Sequence, residues 1–530
     1  MHRPIRVALV APPYPLSEAP SPPLGLSYAA AACAAAGAEV SIFDYIVRRY
    51  TPEKLQKDLD SFDPDVIGAT SVTMNFLIAA EIIRQAKRHR PSLITLMGGP
   101  HVSYDIEGTL SRFPEVDVIV FGEGEKTLME LLPHIGEPET WPKIEGIAFR
   151  RGKEIVKTPP RPLIEDLDSL PLPARHLLPM SRYLALGYPA GIITSRGCPN
   201  QCIFCLGRRM VGAKVRPRSP DKVADEIETL LDYGFTRINI TDDTFTANKD
   251  RVKALCAEIK RRGIEFNWSA FSRVNTVDPE ILAIMRDAGC DSISFGIESG
   301  NPEMLKRVKK GITVEQARTA VRYCKEAGIG AHASFIVGLP GETRETMNDS
   351  KRLAEELGIQ YGYHMLAPFP GTTVRERIAE YDLEILTDDW NAYDANRAIV
   401  RTSALSAAEM DAFLDDFLHA IEAAWEEVLE RYREGKATPE EVFKVEALSR
   451  TELMYQLLSE DVIETVGTFS RNGQDPLREL VMRIAPLTRF GPDFVAKAIG
   501  SMVSKGYLKV ETENGFVRWF WTHNRWVDRL

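Results

Sequence analysis

The chain has little cysteine, little histidine and no long apolar run. Seven cysteines and nine histidines occur in 530 residues. That is no disulfide framework, so a reducing cytoplasm is expected rather than a secreted scaffold. No window approaches ~18 continuous apolar residues, so no membrane-spanning helix is expected. The opening MHRPIRVALVAPPYP has too short an apolar run for a signal peptide and leads straight into a folded pattern. A basic excess is also missing. With a formal net charge of −10, nucleic acid is not expected as the main partner. Disorder is not the default, since 44% of residues are hydrophobic and 26% charged. The length calls for several domains.

What is present is concentrated. Cys198, Cys202 and Cys205 fall within RGCPNQCIFC, a C-x3-C-x2-C spacing. Structural zinc normally takes four Cys or His ligands, often as two pairs, and no second pair exists. Three clustered thiolates suit a 4Fe–4S cluster, with one iron left open for chemistry. Cys33, Cys256, Cys290 and Cys324 are scattered in apolar contexts and read as small core residues.

The first region, residues 1–150, alternates short apolar runs with helix-length segments. Ile5–Ala11, Glu39–Tyr45, Asp65–Val72, Ile94–Gly98 and Asp117–Phe121 read as parallel strands of a doubly wound α/β sheet, Rossmann-like. Ligands of such sheets bind beyond the carboxyl ends of the strands. The loops there are APPYP with PPLGLSYAAA, TSVTMN, GGPHVS and GEGE, all on one edge and rich in small residues. Each alone could be a plain turn; together they point to a large cofactor. Residues 151–188 form a linker, Pro-dense over 159–179 and unable to hold a continuous helix. From 189 to 400, six βα-type repeats fall short of eight, so a partial (β/α)6 barrel is expected. The cysteine loop follows its first strand, where barrel active sites lie.

Residues 401–530 read as mostly helical with a winged-helix-like end: helices 477–484 and 493–505, then a hairpin over 507–511 and 516–521. Three of the seven tryptophans, Trp519, Trp521 and Trp526, lie there, with ten basic against six acidic residues over 466–530. Packing on the barrel is weighed above nucleic-acid binding. Tyr361, Tyr363, Trp390, Tyr393 and the tail tryptophans suit either a flat, apolar substrate or ordinary core packing.

The cysteine loop, with Phe204 before its last cysteine, resembles the signature of the radical S-adenosylmethionine superfamily. TDDTF (241–245), SAFSRVN (269–275), FGIESG (295–300), IVGLPGET (336–343) and APFPGT (367–372) follow in order at successive strand ends. With PPLGLSYAAA, GGPH and GEGE upstream, they are similar to members carrying an N-terminal cobalamin-binding domain, typified by the anaerobic protoporphyrin ester cyclase. The likeness covers roughly residues 5–375.

The resemblance implies three cofactors: a 4Fe–4S cluster on Cys198, Cys202 and Cys205, S-adenosylmethionine on the open iron, and cobalamin. Around S-adenosylmethionine it places Phe204; Asp242 and Asp243 toward the ammonium; Arg273 toward a carboxylate; Glu298 toward the ribose; and Gly338, Pro340 and Gly341 against adenine. Adjacent aspartates could instead cap a turn, Arg273 could be a surface charge, and the glycines plain turn residues. Arg196, Arg208 and Arg209 are candidates for anion contacts or for tuning the cluster. Around cobalamin it places Ser71, Thr73, Gly98, Gly99, Pro100, His101, Gly122, Glu123 and Gly124. The D-x-H-x-x-G loop that supplies an axial His in methionine synthase and the mutases is replaced by APPYPLSE, so no imidazole is expected on cobalt. His101 fits a loop hydrogen bond better than a cobalt ligand.

The function implied is a methyltransferase. A methyl passes from one S-adenosylmethionine through methylcobalamin to an unactivated carbon, opened by a 5′-deoxyadenosyl radical from a second. The alternative is an oxidative cyclase acting on a tetrapyrrole-like ring; a cobalamin sensor with a DNA-binding tail is third. A small-molecule substrate and an external flavodoxin- or ferredoxin-like electron donor complete the expected partners.

Overall fold

The computed structural model describes residues 3–471 and 473–523. Strands β1 (Arg6–Ala11), β2 (Glu39–Asp44), β3 (Val66–Thr70), β4 (Ile94–Gly98) and β5 (Val118–Val120) are parallel, in spatial order β2-β1-β3-β4-β5. The apolar runs become strands because both faces are covered. Leu24–Ala35 packs beside Gly124–Leu131, and Pro52–Phe62 beside Phe76–His89. The chain reverses direction between β1 and β3, the switch point where doubly wound sheets open a crevice.

Two further strands, β6 (Ile147–Arg151) and β7 (Glu154–Lys157), extend the sheet antiparallel. The expected boundary at residue 150 therefore falls inside a strand. The segment IAFRR-GK-EIVK pairs on itself around a two-residue Gly152–Lys153 turn, and the Pro-dense strap starts only after it. That strap holds short 3-10 turns and no α-helix until Met180–Leu186.

The second sheet holds β8 (Ala190–Ile192), β9 (Arg237–Ile240), β10 (Asn267–Ser272), β11 (Cys290–Glu298), β12 (Gly330–Val337) and β13 (Gln360–Met365), all parallel and in chain order. This is the partial six-stranded barrel. Several of its helices start on side-chain caps, where Asn248, Asp278, Thr313 and Thr343 each accept a backbone N–H of the first turn, while Pro220–Tyr233 starts on its proline. Four of them end at a glycine in the left-handed region, Gly234, Gly263, Gly328 and Gly358. On β11, Ile293, Phe295 and Ile297 are buried, whereas Ser292, Ser294 and Gly296 alternate with them on the half-exposed concave face.

The expected boundary at 400 cuts a two-residue strand, Val400–Arg401, paired with Glu384–Ile385. The long helix Ala407–Arg433 begins just after, on a Ser406/Glu409 capping box. A second long helix, Pro439–Ser459, and a strand, Thr468–Ser470, join the expected tail elements. That strand pairs with Phe516–Trp521, giving a three-stranded sheet beside helices Pro476–Ile484 and Pro492–Ser504. Among the described residues, no helix is long and apolar enough to cross a membrane.

Candidate active site

The three cysteines hang on a loop launched by β8. Asp242, at the end of β9, accepts hydrogen bonds from Thr194 N (2.6 Å), Thr194 Oγ1 (2.6 Å), Ser195 N (3.0 Å) and Ser195 Oγ (2.6 Å). Arg251 adds an ion pair. The carboxylate is buried and saturated, so Asp242 fixes the base of the cysteine loop instead of reaching a ligand's ammonium. Its neighbour Asp243 is exposed at the mouth, with its carboxylate over Gly207 beside Cys205. Only Asp243 of this pair is free for a ligand.

Main-chain bonds seat the loop between other strand ends: Ile203 N donates to Val308 O (3.1 Å), and Val374 N to Ile203 O (2.9 Å). Phe204 is half-buried against the core. Cys198 and Cys202 are half-buried and Cys205 exposed, all as free thiols. Each sulfur meets one N–H donor: Asn200 Nδ2 at Cys198 (3.3 Å), Arg273 Nη1 at Cys202 (3.6 Å) and Gly207 N at Cys205 (3.3 Å). Among the described residues, no three His, Cys, Asp or Glu side chains converge as for a single metal ion. Three cysteine sulfurs on one loop, each met by an N–H donor, suit the thiolate ligands of a cluster.

Arg273 is buried and also donates to Lys310 O. It addresses the cysteine loop from within, which removes the surface-charge alternative. Lys310 Nζ in turn pairs with Glu298 Oε1 at 2.6 Å, both side chains nearly buried. Glu298 sits where β11 slips register against β12, at φ +71°. A left-handed non-glycine residue costs roughly 1–3 kcal/mol and marks a position held for geometry. The turn after β12 closes on Glu342: Gly338 N (2.5 Å) and Leu339 N (3.3 Å) donate to its Oε2. Pro340 and Gly341 present their carbonyls to Arg307 (3.1 and 2.9 Å). Glu342 is fully buried, burial pushes its carboxyl up to about 7, and Oε1 has no partner.

The edge of the first sheet is built from small groups. Gly99, at φ +103°, lies so close to the β3 loop that a Cβ would fall 2.5 Å from Ser71 O. Gly98 ends β4, and Pro100 opens a short helix through Tyr104. Ser71 Oγ is buried without a partner, and a Cβ at Gly122 would meet nothing within 4 Å. A buried hydroxyl left without a protein partner beyond β3, at the switch point, fits a ligand lying along this edge. Gly124 begins the following helix.

Two residues expected at that edge point elsewhere. His101 is sealed, stacked on Phe76 (centroids 3.9 Å apart) and edge-on to Trp390, with Nδ1 3.2 Å from Thr73 Oγ1. Burial holds its pKa below the usual imidazole value, against the upward pull of Asp105, whose Oδ2 lies 3.6 Å from Nε2. Glu123 turns to Arg216, Arg196 and the backbone of Ile164. Of the other loop arginines, Arg208 donates to Pro199 O (2.6 Å) and Arg209 pairs with Glu376. Those partners leave neither in contact with a cluster sulfur.

The aromatic candidates resolve as packing. Tyr361 and Tyr363 meet Phe413 and Phe417 of the long helix. Trp390 and Tyr393 meet at a tilt, with the Arg375 guanidinium over both rings. Trp519 and Trp521 are buried, and Trp526 lies outside the described residues. In the tail, Lys497 of helix Pro492–Ser504 pairs with Glu446 (2.8 Å), turning that helix toward its neighbour. Sequence reasoning missed the polar concave row Asn239, Ser269, Ser294, His332 and Ser334. Its signal is alternation with buried apolar residues, as in HASFIV.

A radical SAM superfamily model matches residues 192–354, and a B12 binding domain model matches residues 17–132. An uncharacterized methyltransferase of Pyrococcus horikoshii is 36% identical over 396 residues, covering 74% of this chain and 86% of that protein. The chain belongs to the cobalamin-dependent radical S-adenosylmethionine superfamily. It is an enzyme with regions for a 4Fe–4S cluster, S-adenosylmethionine and cobalamin. The anaerobic magnesium-protoporphyrin IX monomethyl ester cyclase of Cereibacter sphaeroides is 31% identical over 402 residues, 73% of this chain and 65% of that one. Two solved structures share the fold. The methyltransferase TsrM from Kitasatospora setae, with cobalamin and cluster bound, has TM-score 0.63 at 23% identity over 77% of this chain and 84% of its own. The cobalamin-dependent enzyme OxsB, bound to aqua-cobalamin and S-adenosylmethionine, has TM-score 0.70 at 18% identity over 97% of this chain and 82% of its own.

Proposed function

We propose that the chain is a methyltransferase that moves a methyl group from S-adenosylmethionine, by way of cobalamin, to an unactivated carbon of a small molecule. The observation that carries this is the meeting of the two strand-end edges. The loop after β5 is ion-paired to the residues flanking the cysteine loop, so the strand-end edge of the first sheet is held against the stem of the cysteine loop. The Pyrococcus relative, called a methyltransferase, supports the reaction type.

When bound, the cluster supplies an electron to the sulfonium and the corrin supplies a methyl carrier. The protein's part is positional. Cys198, Cys202 and Cys205 hold the irons, while Asn200, Gly207 N–H and Arg273 bond the sulfurs and tune their charge. Asp243 accepts from the ammonium of S-adenosylmethionine. Glu298, held by Lys310, offers its second oxygen to the ribose. The Gly338–Gly341 turn lets the backbone approach adenine. Ser71, Thr73 and the small edge residues Gly98, Gly99, Gly122 and Gly124 would make room for the corrin, while His101 stays packed on Phe76 and bonded to Thr73. An external flavodoxin- or ferredoxin-like donor delivers the electron where Cys205 is exposed, in a reducing cytoplasm that suits a chain whose seven cysteines form no disulfide.

The alternative is oxidative ring closure, favoured by the 31% identity to the Cereibacter cyclase. Anaerobic reconstitution with iron, sulfide and cobalamin, then incubation with methyl-labelled S-adenosylmethionine and a reductant, separates the two. Label retained on the corrin is expected. Formation of 5′-deoxyadenosine with no label on the corrin overturns methyl transfer and leaves the cyclase-type oxidation.

A further inference from the structure

The neck of the cysteine loop is a buried ion cluster that belongs half to each sheet. Arg196 and Arg216 pair antiparallel, so Cys198, Cys202 and Cys205 all lie on the chain between them. Arg216 is fully buried and grips Glu123 with both arms, Nη1 to Oε2 at 2.9 Å and Nη2 to Oε1 at 2.8 Å. Its Nη1 also donates to Ile164 O (2.5 Å), and its Nη2 to Val211 O (2.8 Å). Arg196 donates to Glu125 Oε1 (2.6 Å) and Glu123 Oε1 (3.2 Å), with its guanidinium 5.4 Å from the Tyr28 ring. Glu123 Oε2 further accepts Ile164 N at 2.7 Å, drawing in the interdomain strap. Burial alone would raise the Glu123 carboxyl, but Arg216, the Ile164 N–H and Arg196 together hold it below the usual carboxylate range.

Such a network is a poor way to gain stability. Desolvating four charges offsets most of their attraction, and well-packed apolar groups would often serve as well. Bidentate, fully buried guanidinium–carboxylate geometry does fix position and orientation tightly. The carboxylates come from the end of the loop after β5 (Glu123) and the first turn of the helix that follows (Glu125), on the cobalamin-side sheet, and the arginines from the stem of the cluster loop. We propose that Glu123 and Glu125 are positioning residues that set the separation between the iron–sulfur cluster and cobalamin by clamping the neck of the cysteine loop to the first sheet. This rests on both cofactors binding, and not on the fate of the methyl group.

The test is a distance. In holoenzyme reconstituted with cluster and cob(II)alamin, the reduced cluster and cobalt are both paramagnetic, so pulsed EPR reads their dipolar coupling. Wild type is expected to give one narrow distribution. Glu123→Gln and Glu125→Gln, each retaining iron and cobalamin, are expected to widen it about twofold or more, since unclamped sites loosen on the ångström scale. The swap Glu125→Arg with Arg196→Glu is expected to narrow it again. A distribution unchanged in both single variants, with both cofactors loaded, overturns the clamp. So does a swap no narrower than Glu125→Gln. Failure of label transfer to the corrin beside a widened distribution removes the methyltransferase and keeps the clamp.

Discussion

The two strand-end edges are built on opposite plans. At the barrel mouth, charges are dense and hold one another: Asp242 with Arg251, Glu298 with Lys310, Arg273 against Cys202. At the first sheet, away from the Glu123 and Glu125 clamp, small and uncharged groups prevail: Gly98, Gly99, Gly122, the orphan Ser71 hydroxyl and the sealed ring of His101. A zwitterionic ligand on a charged cluster needs fixed countercharges at fixed places. A large macrocycle needs room and close backbone approach. On the reading proposed above, one chain would hold two unlike cofactors, by charge on one side and by shape on the other.

Removing the sulfurs should break the charged edge outright. Cys202→Ala is expected to abolish cluster assembly and all 5′-deoxyadenosine formation while cobalamin binding persists, read by iron content, EPR and product assay. Next comes the aspartate pair. Asp242→Asn breaks buried, charge-assisted bonds to Thr194, Ser195 and Arg251 and should cost about 2–4 kcal/mol with loss of iron. Asp243→Asn should leave the denaturation midpoint in place and weaken S-adenosylmethionine binding about tenfold, the loss of one charge-assisted bond. Equal behaviour of the two variants would erase the distinction between anchor and ligand. On the neutral edge, Gly99→Ala forces a side chain into a conformation open mainly to glycine, at φ +103° and against Ser71 O. It should cost roughly 1–3 kcal/mol and cobalamin retention, with iron content kept. Loss of iron instead would mean that the edges are not separable.

Much of the frame was legible because its signals are local. Several barrel helices, such as Pro220–Tyr233, Lys249–Arg262 and Arg344–Leu357, begin at a cap or Pro and stop at Gly, and their ends coincide with the sequence pattern. The cysteine triad is legible from spacing alone. The aim of a strand-end carboxylate is not. Asp242 and Asp243 are chemically identical neighbours, and only Thr194, Ser195 and Arg251 decide which is consumed. Glu123 sits in a loop that reads as a cofactor cradle, yet its partner Arg216 is 93 residues away in sequence. The β6–β7 hairpin was missed because its boundary signal, the prolines, comes one element later.

The smallest effect expected is one of pH, and it sets the two plans against each other within one motif. Glu342 lies in the barrel's turn after β12, yet it is built like the neutral edge: buried, without a cation, one oxygen unpartnered. Burial raises its folded-state pKa from about 4.5 to about 7. The folded chain therefore binds more protons than the unfolded chain between those values, and stability must fall as pH rises through that window. The loss runs through the folded pKa, flattens only at about pH 8, and is on the order of 3 kcal/mol from this group. Glu342→Gln keeps an acceptor for the Gly338 and Leu339 N–H groups and removes the ionisation. Urea midpoints measured from pH 5 to 8 should show this part of the slope vanish in the variant, which becomes the more stable chain at pH 8. A slope unchanged by the substitution would mean that a cation reaches this turn after all, and that the barrel mouth is charge-matched throughout.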